Sequence, residues 1–140
     1  MDPLSGAASV IAVIQISKEV LTLCGKYALD ALDAKDDIDR LSCEIMAVYD
    51  VLTRVNDLTS GPDAAKFPAL RDLTVTISQC SSELTNLKTR LDPGKGRQVM
   101  KRFGLRALKW PFKTEDINKC IVSLERSKTT INLALSADQR

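Results

Sequence analysis

Along much of this chain, apolar residues recur at alternating spacings of three and four. Ile38, Leu41, Ile45, Val48, Leu52 and Val55 form one such series, and Leu70, Leu73, Ile77, Cys80, Leu84, Leu87 and Leu91 form another. That alternation keeps one face of a helix apolar and is the signature of a heptad seam. It predicts helices over residues 34–58 and 69–91. Ile117, Cys120, Ile121, Leu124, Ile131 and Leu135 mark the inner face of a further helix over residues 114–137. Thr114 is its expected N-cap, with Glu115 and Asp116 in the first turn, where carboxylates suit the helix dipole.

The N-terminus follows a different rule. "MDPLSGAASVIAVIQIS" has no charged residue from Pro3 to Ser17. Asp2-Pro3 is a good helix start, and the helix is expected to run to about residue 32, with Gly25 as its weak point. Its later part is amphipathic: Val13, Ser17, Val20, Cys24 and Ala28 share a face, away from Lys18, Glu19 and Lys26. Its early part is apolar nearly all round, as expected of a helix central in a bundle or seeking lipid. A signal peptide is disfavoured because a basic leader is missing and Asp2 stands in its place. The 15 uncharged residues also fall short of the roughly 20 needed to span a bilayer.

No alternating strand pattern competes. "TSGPDAAKFP" and "DPGKG" read as loop and helix stop. The expected fold is all-α: an antiparallel bundle of four long helices plus one short basic helix, forming a single domain over residues 1–140. Aromatics are only 4% of the 140 residues, so the core is mostly aliphatic.

The short helix is expected within "GKGRQVMKRFGLRALKWPFK", ending before Pro111. This stretch carries Lys95, Arg97, Lys101, Arg102, Arg106, Lys109 and Lys113, and no acid. It also holds Phe103, Trp110 and Phe112, half of the six aromatics. A helix would line up Arg102, Arg106 and Lys109, and turn Val99, Met100, Phe103 and Ala107 inward. Three readings compete, a solvated bundle corner plugged by its aromatics, a contact for anionic lipid with Trp110 at the interface, and a nucleic-acid surface, with a partner protein as the remaining possibility. A net charge of +2 and the lack of a base-reading motif weigh against nucleic acid.

Catalytic chemistry has little to hold. The chain has no histidine, so the commonest general base and neutral metal ligand are missing. Cys24, Cys43, Cys80 and Cys120 show no CxxC spacing and read as reduced core residues of an intracellular protein. Nucleophile-elbow, phosphate-loop and zinc-helix motifs are absent. "DPGKGR" follows a helix and is a stop, not a phosphate cradle. The acidic run Asp33, Asp36, Asp37 and Asp39 lacks the spacing of a calcium loop and reads as a solvated helix start. No enzyme, cofactor or metal is expected.

Two stretches carry a resemblance. "MDPLSGAASVIAVIQIS" and "GKGRQVMKRFGLRALKWPFK", the latter through "RFGLRALKWPF" at 102–112, look like the HeLo-like N-terminal domain of fungal NOD-like receptors. "AKDDIDRL" at 34–41 and "PGKGR" at 93–97 also fit, so the likeness runs in order along essentially the whole chain. The resemblance implies a helical-bundle effector of programmed cell death, set before a NACHT-type nucleotidase in the same polypeptide. Such domains rest in the cytoplasm, self-associate on activation, expose the first helix and damage membranes. Carried over by position, Leu4, Val10, Ile11, Val13, Ile14 and Ile16 would insert. Contact of Lys95, Arg97, Lys101, Arg102, Arg106, Lys109, Trp110 and Lys113 with anionic lipid is inferred from their charge and aromaticity alone. The rival reading is a signalling adaptor that binds its own kind or a partner bundle without touching lipid.

Overall fold

The computed structural model describes residues 3–60, 72–92 and 109–138, and side chains within them from position 10 to position 137. Four long helices account for nearly all of these: α1 (Pro3–Asp30), α2 (Lys35–Thr59), α3 (Thr74–Leu91) and α4 (Thr114–Asp138). A single 3-10 turn, Leu32–Ala34, joins α1 to α2. Among the described residues there is no strand. The short basic helix expected before Pro111 falls on residues outside this description, as does Leu70.

Local chemistry explains most boundaries. α1 passes through Gly25 unbroken, because that glycine is exposed and the packed stripe lies elsewhere on the helix. Asp36 and Asp37 occupy the first turn of α2, and Lys88 and Arg90 the last turn of α3, each sign suited to its helix end. α3 begins at Thr74, later than its leucine series suggests: Asp72 is in a turn and Leu73 is the cap, though Leu73 is still buried. The start of α4 differs from expectation. Asp116 Oδ2 accepts the Lys113 backbone N–H at 3.1 Å, as the reciprocal half of a capping box does. The Thr114 hydroxyl instead donates to Asp37 Oδ2 of α2 at 2.7 Å.

Each helix touches two others. α1 packs on α2 and α3, and α4 packs on the same two, so the ring order is α1–α2–α4–α3. Cross-helix contacts fix the directions. Lys18 reaches Tyr49 and Cys24 meets Ser42, so α1 and α2 are antiparallel. Glu83 pairs with Ser123 and Arg90 with Pro111, so α3 and α4 are antiparallel too. Asp37 meets Thr114 and Glu44 meets Lys128, which makes α2 and α4 parallel neighbours. α1 and α3 are parallel by the same test, through Glu19–Lys88 and Tyr27–Leu91. Consecutive helices therefore alternate in direction, yet two of the four sides join parallel helices.

The core runs the length of this ring. α1 contributes Val10, Val13, Ser17, Val20, Cys24 and Tyr27, and Ala31 just past its end continues the uninterrupted series of threes and fours. α2 and α3 bury the series read from sequence, apart from the undescribed Leu70, and α2 adds Val51. Near mid-bundle the core becomes more polar. Ser17 and Ser127 are both buried; the Ser17 hydroxyl donates to the Val13 carbonyl at 2.9 Å, and Ser127 bonds Cys80.

Candidate functional site

The N-terminal half of α1 is not threaded through the bundle centre, as its all-round apolarity suggested. It occupies a corner of the ring with two sides open. Val10 and Val13 are buried; Ile14 and Ile16 are half-buried against the core. Ile11 is 45% exposed, and Ala12 is exposed beside it. The side chain of Leu4 lies outside the described residues. Two contacts orient the helix. Lys18 lies over the Tyr49 ring at 5.7 Å, so the flank of α1 that carries Ile11, Ile14, Lys18 and Leu21 faces α2. Glu19 bridges Lys88 at 2.6 Å, so the flank with Ala12, Ile16 and Leu23 faces α3.

The far half of α1 is tied down by aromatics. Tyr27 is fully buried, and its hydroxyl donates to the Leu91 carbonyl at 2.7 Å, joining the ends of α1 and α3. Its ring meets Trp110 edge-on with centroids 5.5 Å apart, and Trp110 meets Phe112 in the same way at 5.2 Å. Arg90 closes the clasp. Its guanidinium sits 4.2 Å from the Phe112 centroid and donates to the Pro111 carbonyl at 3.0 Å.

Trp110 is thus half-buried inside a packed cluster, with its indole N–H enclosed and unpartnered among the described residues. Of the basic residues named for lipid, Lys109 and Lys113 are exposed on either side of this clasp. Lys95, Arg97, Lys101, Arg102 and Arg106 lie outside the described residues. Sequence reasoning missed Tyr27, Arg90 and Met46. Tyr27 could have been found, since it continues the spacing of Val20 and Cys24. Arg90 and Met46 carry no such signal.

The thiols divide three to one. Cys24, Cys80 and Cys120 are buried, whereas Cys43 is exposed, contrary to its reading as a core residue. Burial pushes the Cys24 thiol up to about 11 and raises those of Cys80 and Cys120 as well, the last also through nearby Glu83. Asp37 of the acidic run is engaged by Arg40 and Thr114, and no cluster that could hold a metal occurs among the described residues.

Between α3 and α4 runs a groove of about 450 Å³ lined by hydroxyls and an amide, including Thr76, Gln79, Ser82, Ser123 and Thr130, together with the charged Glu83 and Arg126. The α2–α4 side is closed by polar pairing, with Arg40 on Asn118 and Lys128 on Glu44 at 3.1 Å. The α1–α2 side differs from both: Ile11, Ile14, Leu21, Met46 and Tyr49 leave apolar surface in view.

Residues 1–139 match the sequence model of a fungal domain family described as pigment biosynthesis cluster protein PigL N-terminal. No curated protein and no solved structure matches the chain.

Proposed function

This chain belongs to the PigL N-terminal family, and from that premise we propose that it is a non-enzymatic effector bundle of a fungal immune receptor, acting at membranes through the N-terminal half of α1. One observation carries the reading: this half-helix is more apolar than its place requires. The bundle buries Val10 and Val13 but leaves Ile11 exposed and Ile14 and Ile16 partly in view. Releasing it would expose two buried valines, a cost of about 3–6 kcal/mol that burial in lipid would return. The clasp around Tyr27 would keep the other half of α1 in place. Among the described residues no helix is long and apolar enough to cross a membrane. Insertion at the interface by several clustered copies therefore suits α1 better than a standing span.

In this reading the domain rests in the cytoplasm and a downstream NACHT-type domain gathers copies. Clustering raises the local concentration of α1, and anionic lipid receives it. Lys109 and Lys113, with the basic residues of 95–106, would supply attraction to the lipid surface. The resemblance to HeLo-like domains supports the same reading.

The test is dye release from anionic liposomes by the chain alone and by a forcibly clustered form. Release is expected only on clustering, and Ile11→Glu should abolish it while helical signal is retained. Failure of the clustered form to release dye would sink the membrane reading and leave the adaptor. Reversal of Arg102, Arg106 and Lys109 to Glu should weaken vesicle binding; unchanged binding would remove the basic stripe from the mechanism.

A further inference from the structure

The α1–α2 side of the ring combines exposed apolar residues with charges of opposite sign on its two helices. α1 supplies Ile11, Ile14, Leu21 and one cation, Lys18; α2 supplies Met46, 55% exposed, and one nearby anion, Asp50. The two helices are antiparallel, and the Lys18–Tyr49 and Cys24–Ser42 contacts set their levels. Leu21 stands at the height of Met46, and Lys18 at the height of Asp50.

We propose that a second copy of this chain docks on the α1–α2 face, related by a two-fold axis parallel to the helices. Such an axis preserves height and exchanges left for right, so α1 of each copy meets α2 of the other. Met46 then packs on Leu21 of the second copy. Lys18 meets Asp50 of the second copy, and the symmetry makes that contact twice. An axis across the helices would instead set α1 on α1 and lose both pairings. The face is large enough. α2 has 25 residues, about 37 Å of helix, and two helices are roughly 20 Å wide. The product, about 700 Å², is near the roughly 800 Å² per partner of a standard interface. The proposal rests on the outward face of α1 used in the effector reading and supplies its partner, but it does not require membrane activity.

Sedimentation of the intact chain over a concentration series tests this, using the exposed positions Lys18, Asp50 and Met46, whose replacement should leave the helical signal intact. The wild type should dimerise. Met46→Glu should abolish dimerisation, and Lys18→Glu or Asp50→Lys alone should weaken it roughly tenfold, since each sets two like-charge contacts. Mixing the Lys18→Glu and Asp50→Lys chains should restore the dimer, because the mixed pair has opposite charges at both contacts. A wild type that stays monomeric throughout, or a mixture no tighter than its components, overturns the proposal. The liposome assay separates the two readings. A monomer that still releases dye when clustered overturns the dimer and leaves the membrane reading standing; a dimer inert on vesicles does the opposite.

Discussion

Replacing Tyr27 with Phe tests what its hydroxyl contributes to the clasp. The ring is fully buried and would keep its contacts with Trp110, so only the hydroxyl is lost. That hydroxyl donates at 2.7 Å to the carbonyl of Leu91, the last residue of α3, which is itself fully buried. Deleting a donor to a buried carbonyl costs about 1–3 kcal/mol, because the acceptor forfeits its bond without regaining water. For a domain of this size each kcal/mol lowers Tm by roughly 3–5 °C. The expected outcome is a loss of about 1–2 kcal/mol by urea denaturation, with unchanged m-value, and a Tm lower by roughly 3–10 °C. Tyr49→Phe is the internal control: Tyr49 is only half-buried, and a loss below about 0.5 kcal/mol is expected there. A Tyr27→Phe loss no larger than that of the control would refute the idea that this bond joins α1 to α3. A separate double-mutant cycle of Tyr27→Leu with Trp110→Leu, which removes both rings, should give the ring–ring coupling, about 0.5–1.5 kcal/mol.

Gly25→Ala should stabilise the chain by about 0.5–1 kcal/mol in the same assay, because a Cβ there meets nothing within 4 Å and the helix loses a flexible residue. A thiol reagent added to the folded chain should label Cys43 rapidly and the buried Cys24, Cys80 and Cys120 only at the rate of unfolding. Rising alkalinity should weaken the fold. Unfolded thiols ionise from the ordinary value of 9.0, whereas folded Cys24 holds its proton to about 11, so the native state binds more protons and stability falls from about pH 9 upward. A Tm that is flat or rising across that window would contradict the burial of these thiols.

The helices were legible because α2 and α3 write their buried faces in large aliphatic residues at heptad spacing. α1 was legible as a helix, and in phase from Val13 to Cys24, but not in its first turns. From Val10 to Ile16 nearly every residue is apolar, so no spacing singles out the buried side. The phase is set further along by Val20, Cys24 and Tyr27, where packing on α2 and α3 selects the aromatic over Ala28. Ring order was illegible for a different reason. Periodicity states which face of a helix is buried, never which neighbour buries it. The parallel pairs α1–α3 and α2–α4 emerge only from contacts such as Glu19–Lys88 and Glu44–Lys128. Trp110 shows the same limit, since an aromatic among lysines and arginines reads equally as a membrane anchor or a plug. The edge-on contacts with Tyr27 and Phe112 place it in the clasp.

The ring order also bears on how the chain acquires its structure. Two sides of the bundle are closed by residues far apart in sequence: Tyr27 and Leu91 are separated by 64 positions, Glu44 and Lys128 by 84. A ring that followed chain order would close on one longer link, α1 to α4, whereas this one closes on two links of intermediate span, each of which must form late relative to local contacts. During synthesis α1 and α2 emerge together, but the stripe from Val10 to Ala31 waits for α3 before its second wall arrives. The most apolar helix of the molecule is thus made first and enclosed late, and the nascent α1–α2 hairpin is the form in which it is most open to lipid, to chaperones and to another hairpin like itself.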